Sequence, residues 1–463
     1  MNINILHISD MHCTNKDADT LYKNLEGDLL ADLESQSAKV GGIDFVVFTG
    51  DLVRTGRKEE YELFEVRINK ILQKTAHLGC QPRLFTVPGN HDLRRPDPNK
   101  PVVRLLTGKL DRQTRDSLIQ HKNNSYKKVI QEAFKDYSDW HKGMGLAAGA
   151  DYTPGLFPGD FRASFVKEGI RICIVGLNTA FLALKDIRKA GLALFPDQLR
   201  HVCQEGCDDC EGAPQLCLLL THHPPEWLGE YDRDLFNSEI DVPGRFAMHL
   251  VGHMHEARAL AYLKGGARQK LLLMSSSLFG LKVWGPPRTD RIHGYSILQL
   301  SVENDREAKL RIWPRKACKR EAGNWRFDRD IRFEVDRDDN PIPIAVSLRP
   351  PQKRHPRGRT DFSDGLGTGP AAKVLSDVIP LKGRTRIIYT CRSFFEKPQH
   401  FICPDAREDQ ASKSKPGHPS FENLEKPGHP FLNKTWQNLG KNLENLDTHL
   451  FVAFSWHFPC VHR

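Results

Sequence analysis

The chain has 463 residues, 39% of them hydrophobic and 27% charged, which suits a soluble globular protein with a large core and more than one region. No apolar run approaches the ~20 residues of a membrane-spanning helix, and Met1-Asn2-Ile3-Asn4-Ile5 lacks the basic start and apolar core of a signal peptide, so a cytoplasmic protein is expected. The net charge of +9 is compatible with anionic partners such as nucleotides or nucleic acid and, more simply, with a solvated basic tail, while 11 cysteines without scaffold spacing fit a reducing compartment.

The first predicted element, Ile3 to Ile8, is a nearly unbroken apolar run, as in a strand buried on both faces. It leads into Asp10-Met11-His12. Leu21 to Glu34 has helical apolar spacing; Phe45-Val46-Val47-Phe48 is a second buried strand, ending at Gly50-Asp51; Glu59 to Leu72 is again helical. A helix after each strand predicts crossovers between parallel strands. Leu84-Phe85-Thr86-Val87 then runs into Gly89-Asn90-His91-Asp92.

Residues 94–160 read as an insertion. Arg95 to Pro101 is a proline-rich loop, and Thr114 to Trp140 is polar, helical and rich in lysine. It can form a lid or substrate wall, or a peripheral decoration. Arg94 and Arg95 follow the third motif directly and are candidates for phosphate contact or for surface salt bridges. Strands resume with Ile172-Cys173-Ile174-Val175, whose end carries Asn178 and Thr179 as candidates to line the cleft. Leu216 to Leu220 precedes His222-His223, and Leu250-Val251 precedes Gly252-His253-Met254-His255. Leu271-Leu272-Leu273-Met274 is followed by Ser275-Ser276-Ser277, expected near the site edge. Tyr295 to Leu300 and Leu310 to Trp313 alternate as antiparallel strands expected to close the second sheet. Cys207-Asp208-Asp209-Cys210, between Cys203 and Cys217, has metal-ligand spacing, but a lone pair of this kind is weak evidence for zinc, and Cys217 in a buried strand reads as a small core residue.

Beyond about residue 335 the character changes. Residues 336–370 read as a proline-, glycine- and base-rich linker. Residues 371–463 read as a low-complexity, disordered tail, in which Lys415-Pro416-Gly417-His418-Pro419 recurs as Lys426-Pro427-Gly428-His429-Pro430.

The five motifs share one feature: each stands at the end of a predicted strand. In α/β sheets ligands bind beyond the carboxyl ends of strands, and loops there bring distant residues together. Asp10 and His12 can lean towards one ion, and His253 and His255 can share a face and serve one ion each. Glycines 50, 89 and 252 let the backbone turn sharply. The set holds enough oxygen and imidazole for two adjacent divalent cations. Imidazole, carboxylate and amide oxygen suit Mn, Fe, Zn or Co better than Mg or Ca.

These motifs resemble those of the calcineurin-like metallophosphoesterase superfamily, most nearly the bacterial branch of cyclic-nucleotide and glycerophosphodiester phosphodiesterases. That branch carries Gly-Asp-Leu, as at 50–52, and His-His-Pro-Pro, as at 222–225. The resemblance covers residues 1–335. It implies an α/β (α+β) fold, a four-layer sandwich of two mixed β-sheets flanked by helices with a dinuclear metal site at the strand C-terminal ends. By that resemblance Asp10, His12, Asp51 and His255 hold one ion, and Asp51, Asn90, His222 and His253 hold the other, with Asp51 bridging. Either His222 or His223 could serve in the fourth motif; His222 is favoured because the family ligand usually stands two residues before a proline. The implied activity is hydrolysis of phosphoesters by a metal-bridging hydroxide, with His91 as acid and charge stabiliser and Asp92 orienting His91. Phosphodiesters are favoured because no extra basic pocket for a dianionic monoester is evident. A cyclic nucleotide, a glycerophosphodiester and a nucleic-acid backbone all remain open as substrates. The alternative to an enzyme is a non-catalytic metal-binding scaffold, against which the intact His91 argues. The motifs carry no information on oligomeric state.

Overall fold

The computed structural model describes residues 1–349 apart from 15–19, 77–80, 121–123, 147–150, 187–188, 204–214, 264–268, 280–292, 320–324 and 339. The strands, in chain order, are β1 (Asn2–Ile8), β2 (Phe45–Phe48), β3 (Arg83–Thr86), β4 (Asp151–Pro154), β5 (Phe161–Lys167), β6 (Ile170–Gly176), β7 (Gln215–Leu220), β8 (Met248–Val251), β9 (Arg258–Tyr262), β10 (Lys270–Met274), β11 (Gly294–Val302), β12 (Glu307–Lys319), β13 (Trp325–Arg329) and β14 (Ile344–Ser347). The α-helices are α1 (Thr20–Val40), α2 (Lys58–Thr75), α3 (Pro101–Leu106), α4 (Arg112–Gln120), α5 (Ser125–Ala133), α6 (Lys135–Gly143), α7 (Pro196–Cys203) and α8 (Glu230–Leu235). No helix among the described residues is long and apolar enough to cross a membrane.

Two mixed sheets result. One runs β13-β12-β11-β1-β2-β3, with β14 also on β12; the other runs β4-β5-β6-β7-β8-β10-β9. Strands β1, β2 and β3 pair in parallel, with α1 and α2 as the expected crossovers. Each central strand is apolar on both faces because each face meets a different layer. Ile3 and Ile5 of β1 point between the sheets, where they meet Ile172 and Ile174 of β6 and Leu216, Leu218 and Leu220 of β7. The alternate residues Leu6 and Ile8 point outwards into a core with α1, α2 and the insertion helices. Cys173, Val175, Cys217 and Leu219 line the outer face of the second sheet, against Leu199 and Val202 of α7. The layers are therefore helix, sheet, sheet, helix.

Two expectations need correction. Tyr295 to Leu300 and Leu310 to Trp313 do alternate as antiparallel strands, but they extend the first sheet, not the second: β11 pairs with the edge of β1 that β2 leaves open. A strand as buried as β1 needs both edges satisfied. The pairing also continues past residue 335. Ile344–Ser347 adds to β12, with Val346 buried, inside the stretch read as linker. Pro341 and Pro343 precede this strand, where a missing N–H costs no ladder hydrogen bond. The repeats beyond residue 370 lie outside the described residues.

Within residues 94–160 the chain forms helices α3 to α6 and then strand β4. Tyr137 and Trp140 on α6 pack against Tyr61 and Phe64 of α2, Trp140 stacked on Tyr61 and the other two pairs edge-on, which anchors the insertion to the first sheet's helical layer.

Candidate metal centre

The motif residues arrive on loops whose backbones are tied to one another. In the first sheet, Asp10 N donates to Gly50 O, His12 N to Asp51 O and Cys13 N to Leu52 O, each at 3.0 Å, so the loops after β1 and β2 run as a continued parallel pair. Across the seam between the sheets, Asp10 Oδ2 accepts from His253 N at 3.1 Å, and Thr49 O accepts from His222 Nδ1 at 2.7 Å.

Five motif residues adopt left-handed backbone: Asp10 (φ 56°), His12 (47°), Asp51 (55°), His253 (66°) and His255 (56°). For non-glycine residues this conformation costs roughly 1–2 kcal/mol each, and such outliers gather where the surrounding structure enforces them for function. The glycines act differently from expectation. Only Gly50 has a positive φ (91°). At Gly89 a Cβ would lie 2.2 Å from Asp51 Oδ1, and at Gly252 it would lie 2.0 Å from Ser9 Oγ, so these two permit close packing against the site rather than a left-handed turn.

Three overlapping groups form as a result: Asp10, His12 and His255; Asp10, Asp51 and His222; and His12, Asp51 and His91. Within each group the candidate ligand atoms lie within 4.8 Å of one another. His222, His223 and His253 form a fourth. Asp51 Oδ2 stands 3.7 Å from His12 Nε2 and 3.4 Å from His222 Nε2, between histidines that the sequence reading assigns to different ions. His255 Nε2 is 3.2 Å from Asp10 Oδ1. Several nitrogens here are buried without any hydrogen-bond partner: both of His12, both of His253, and Nε2 of His222. An orphaned buried nitrogen is costly. Several converging on two carboxylates is the arrangement expected of a site that cations complete.

The fourth motif's two histidines separate cleanly. His222 Nδ1 donates to the Thr49 carbonyl, which leaves Nε2 as the atom facing Asp51. His223 uses both nitrogens: Nδ1 pairs with Thr179 Oγ1 at 2.9 Å, and Nε2 with Asn90 Oδ1 at 3.0 Å. Asn90 therefore joins the group through His223.

Electrostatics follow from burial and proximity. Burial pushes His12 down to about 3 against the pull of Asp51, and pushes His253 down to about 3 with His222 adding to the effect. Burial also pushes His223 well below its ordinary value, helped by His253. His222 goes the other way: despite burial, Asp51 raises it to about 9. Burial opposes ionisation of Asp51, yet His222 and His91 hold it well below the usual carboxylate range. His12 and His253, kept neutral beside an ionised Asp51, are in the protonation states that bind divalent cations, whereas His222 would have to release a proton to do so.

His91 lies within this group, its ring edge-on to His12 at 4.8 Å. Its backbone N–H donates to Asp51 Oδ1 at 2.8 Å, and its Nδ1 donates to the Arg54 carbonyl at 2.9 Å. Asp92 does not orient the imidazole, contrary to expectation. Its carboxylate accepts from Val53 N (3.0 Å) and Gly89 N (2.8 Å), pinning the loop's backbone, and burial beside Asp51 pushes it up to about 8. The orienting role falls to Arg54's carbonyl, which no side-chain motif reveals. Arg94 pairs with Asp136 at 2.5 Å and Arg95 with Asp186, so both form salt bridges. Asn178 and Thr179 are buried behind the site rather than lining it. Ser277 sits at the site edge as expected, its Oγ donating to Asp10 O at 2.9 Å. Trp227, its ring 4.1 Å from His253, was missed; its one signal is its place just after His-His-Pro-Pro. Cys217 is a core residue, and Cys207 and Cys210 lie outside the described residues.

The family profile of calcineurin-like phosphoesterases matches residues 3–257. Among solved structures, similarity extends to purple acid phosphatase PPD1 from yellow lupin (Lupinus luteus) seeds, at 14% identity over 72% of this chain and 55% of that one, with a TM-score of 0.34. It extends also to GAP50, the anchor in the inner membrane complex of Plasmodium, at 11% identity over 76% and 90% of the two chains, TM-score 0.33. Vps29 from Chaetomium thermophilum matches at 12% identity over 71% and 97%, TM-score 0.26. The match spans little more than half the length of the lupin protein. Comparison with curated proteins gives no match.

Proposed function

The chain belongs to the calcineurin-like phosphoesterase family, and on that premise we propose that it is a metal-dependent hydrolase of phosphodiesters. The observation that carries the reading is the set of partnerless buried nitrogens on His12, His222 and His253, gathered on Asp10 and Asp51. We assign Asp10, His12, Asp51 and His255 to one ion, and Asp51, Asn90, His222 and His253 to the other, with Mn, Fe, Zn or Co suited to this donor set. Divalent cations bound there supply Lewis acidity to the phosphoryl oxygens and activate water as the nucleophile.

The chain's own residues do the rest. Asp51, with Oδ2 between His12 and His222 and Oδ1 held by the His91 N–H, would be the residue to bridge the two cations. His91, with Nδ1 committed to the Arg54 carbonyl, keeps Nε2 for substrate. When protonated, that nitrogen stabilises charge on the phosphoryl oxygens and gives its proton to the leaving alkoxide. Water adds to phosphorus, the ester P–O bond breaks, and a monoester and an alcohol leave. Diesters are favoured over monoesters because Arg94 and Arg95 are engaged by Asp136 and Asp186.

The test is hydrolysis of bis-p-nitrophenyl phosphate against p-nitrophenyl phosphate, with Mn²⁺ supplied and with chelator. Metal-dependent turnover that prefers the diester is expected. Turnover of neither substrate at two bound ions per chain favours the scaffold alternative, and preference for the monoester overturns the substrate class.

A further inference from the structure

We infer that Thr179 is a positioning residue that acts through His223 to hold the Asn90 amide oxygen, and so sets the affinity of one cation position and not of the other. The inference rests on the reading of Asn90 as a ligand.

The chain of contacts has one consistent direction. Thr179 Oγ1 accepts from the His223 backbone N–H at 3.1 Å and lies 2.9 Å from His223 Nδ1. His223 Nε2 lies 3.0 Å from Asn90 Oδ1. An amide oxygen can only accept, so Nε2 carries the imidazole proton, and Nδ1 of the neutral ring must accept. Thr179's hydroxyl supplies the hydrogen that Nδ1 needs. A threonine on the β6 loop thus fixes the tautomer of a histidine on the β7 loop, which aims an asparagine oxygen on the β3 loop. One lone pair of Asn90 Oδ1 accepts from His223 and the other remains for a cation.

Thr179 is well held for this task. It is buried, and its neighbours are pinned on both sides: Asn178 N donates to Asp160 Oδ1 at 2.7 Å, and Ala180 N to Asn178 Oδ1 at 2.6 Å. Gln198 Nε2 holds both Asp160 Oδ1 (3.0 Å) and Asn178 O (3.1 Å). His223 is held as well, since Thr221 Oγ1 donates to its carbonyl at 2.9 Å. By contrast, the polar contacts described for the Asp10 and His12 side chains run to each other, to Asp51, to His253 and to His255 rather than to Thr179, His223 or Asn90. The effect should therefore fall on one position only.

The test uses Thr179→Val, which keeps the shape and removes the hydroxyl, with Thr179→Ser as the rescue. Mn²⁺ binding to the full chain is titrated by calorimetry and equilibrium dialysis, alongside thermal melting. Wild type should bind two ions. Thr179→Val should weaken one of them by about 10–100-fold, the usual effect of losing an outer hydrogen bond to a ligand, and leave the other within about twofold. Thr179→Ser should restore both, and Thr179→Val should add nothing in an Asn90→Ala background. Unchanged affinity at both positions in Thr179→Val overturns the inference. So does a parallel loss at both positions, which would mark a fold effect. If wild type binds fewer than two ions, the dinuclear reading itself fails, and the positioning role with it.

Discussion

The motif loops and the helical insertion that follows the third of them are neighbours in sequence but are held by different forces. The loops are fixed by backbone: Asp10, His12 and Cys13 each donate an N–H to the strand-end loop beside them, and five motif residues are held at positive φ. The helices of the insertion, α3 to α6, are fixed largely by side chains. Tyr137 and Trp140 meet Tyr61 and Phe64, respectively, edge-on, Arg115 pairs with Asp232 outside the insertion, and ion pairs such as Arg94 with Asp136 and Lys135 with Asp139 tie the insertion to itself. Backbone ladders tolerate little adjustment, whereas side-chain contacts can be exchanged piecemeal. On the proposed reading, chemistry belongs to the first region and the second can vary with substrate.

Substitutions can break or sharpen this contrast. The largest effect is expected for Asp51→Asn, which removes charge from both cation positions; metal content should fall from two ions per chain and turnover should drop to near background. Elemental analysis with a diester assay checks it, and two retained ions with wild-type turnover would refute the bridging role. His91→Ala comes next. It should keep both ions and lose about 10²–10⁴-fold in turnover, with a smaller loss on an activated diester than on an alkyl diester, because p-nitrophenolate needs little protonation. Equal losses on both would leave only charge stabilisation to His91, and loss of metal would make it a ligand.

Gly89→Ala probes the backbone directly. Its Cβ would stand 2.6 Å from the Asp51 backbone N, which cannot move aside, and 2.2 Å from Asp51 Oδ1, which would have to be displaced. Overpacking of this kind costs about 1–3 kcal/mol, and the displaced carboxylate should lower Mn²⁺ affinity too; a variant that melts and binds as wild type would show the loops to be more pliant than argued. The smallest effect on turnover is expected for Arg115→Ala in the insertion. Arg115 makes a bidentate pair with Asp232, both bonds 2.7 Å, so its loss leaves a buried carboxylate unpaired and costs about 1–3 kcal/mol of stability. Turnover of a small diester should stay within about twofold. A large fall in kcat would place the insertion in the catalytic machinery and erase the contrast.

Much of this was legible in the sequence. The apolar runs Ile3 to Ile8 and Leu216 to Leu220 announce buried strands, and polar motifs at their ends announce a shared edge. The rest required coordinates because it is carried by groups that leave no trace in residue identity. The carbonyls of Thr49 and Arg54 orient His222 and His91, and any residue offers a carbonyl. Left-handed backbone at Asp10 or His253 is invisible, since these are not glycines. Asp92 next to His91 suggested a side-chain pair, but adjacent residues on a tight loop point apart, and the carboxylate turned to backbone N–H groups instead. β14 was hidden because prolines in front of an edge strand look like linker.

The hydrogen bond between Asp10 and His253 spans 243 residues, and that between Thr49 and His222 spans 173. Closing such distances is among the slowest steps for a chain to complete. During synthesis Asp10, His12 and Asp51 emerge long before the histidines that finish their site. Of the assigned ligands, the first sheet carries Asp10, His12, Asp51 and Asn90 and the second His222, His253 and His255, so the full set would come together only once both sheets have docked. On the proposed reading, ion capture would be the closing event. It should leave the folding rate almost unchanged and slow unfolding instead, as expected of interactions absent from the transition state. A retained metal ion would then act as a timestamp, recording that a given molecule had completed its fold.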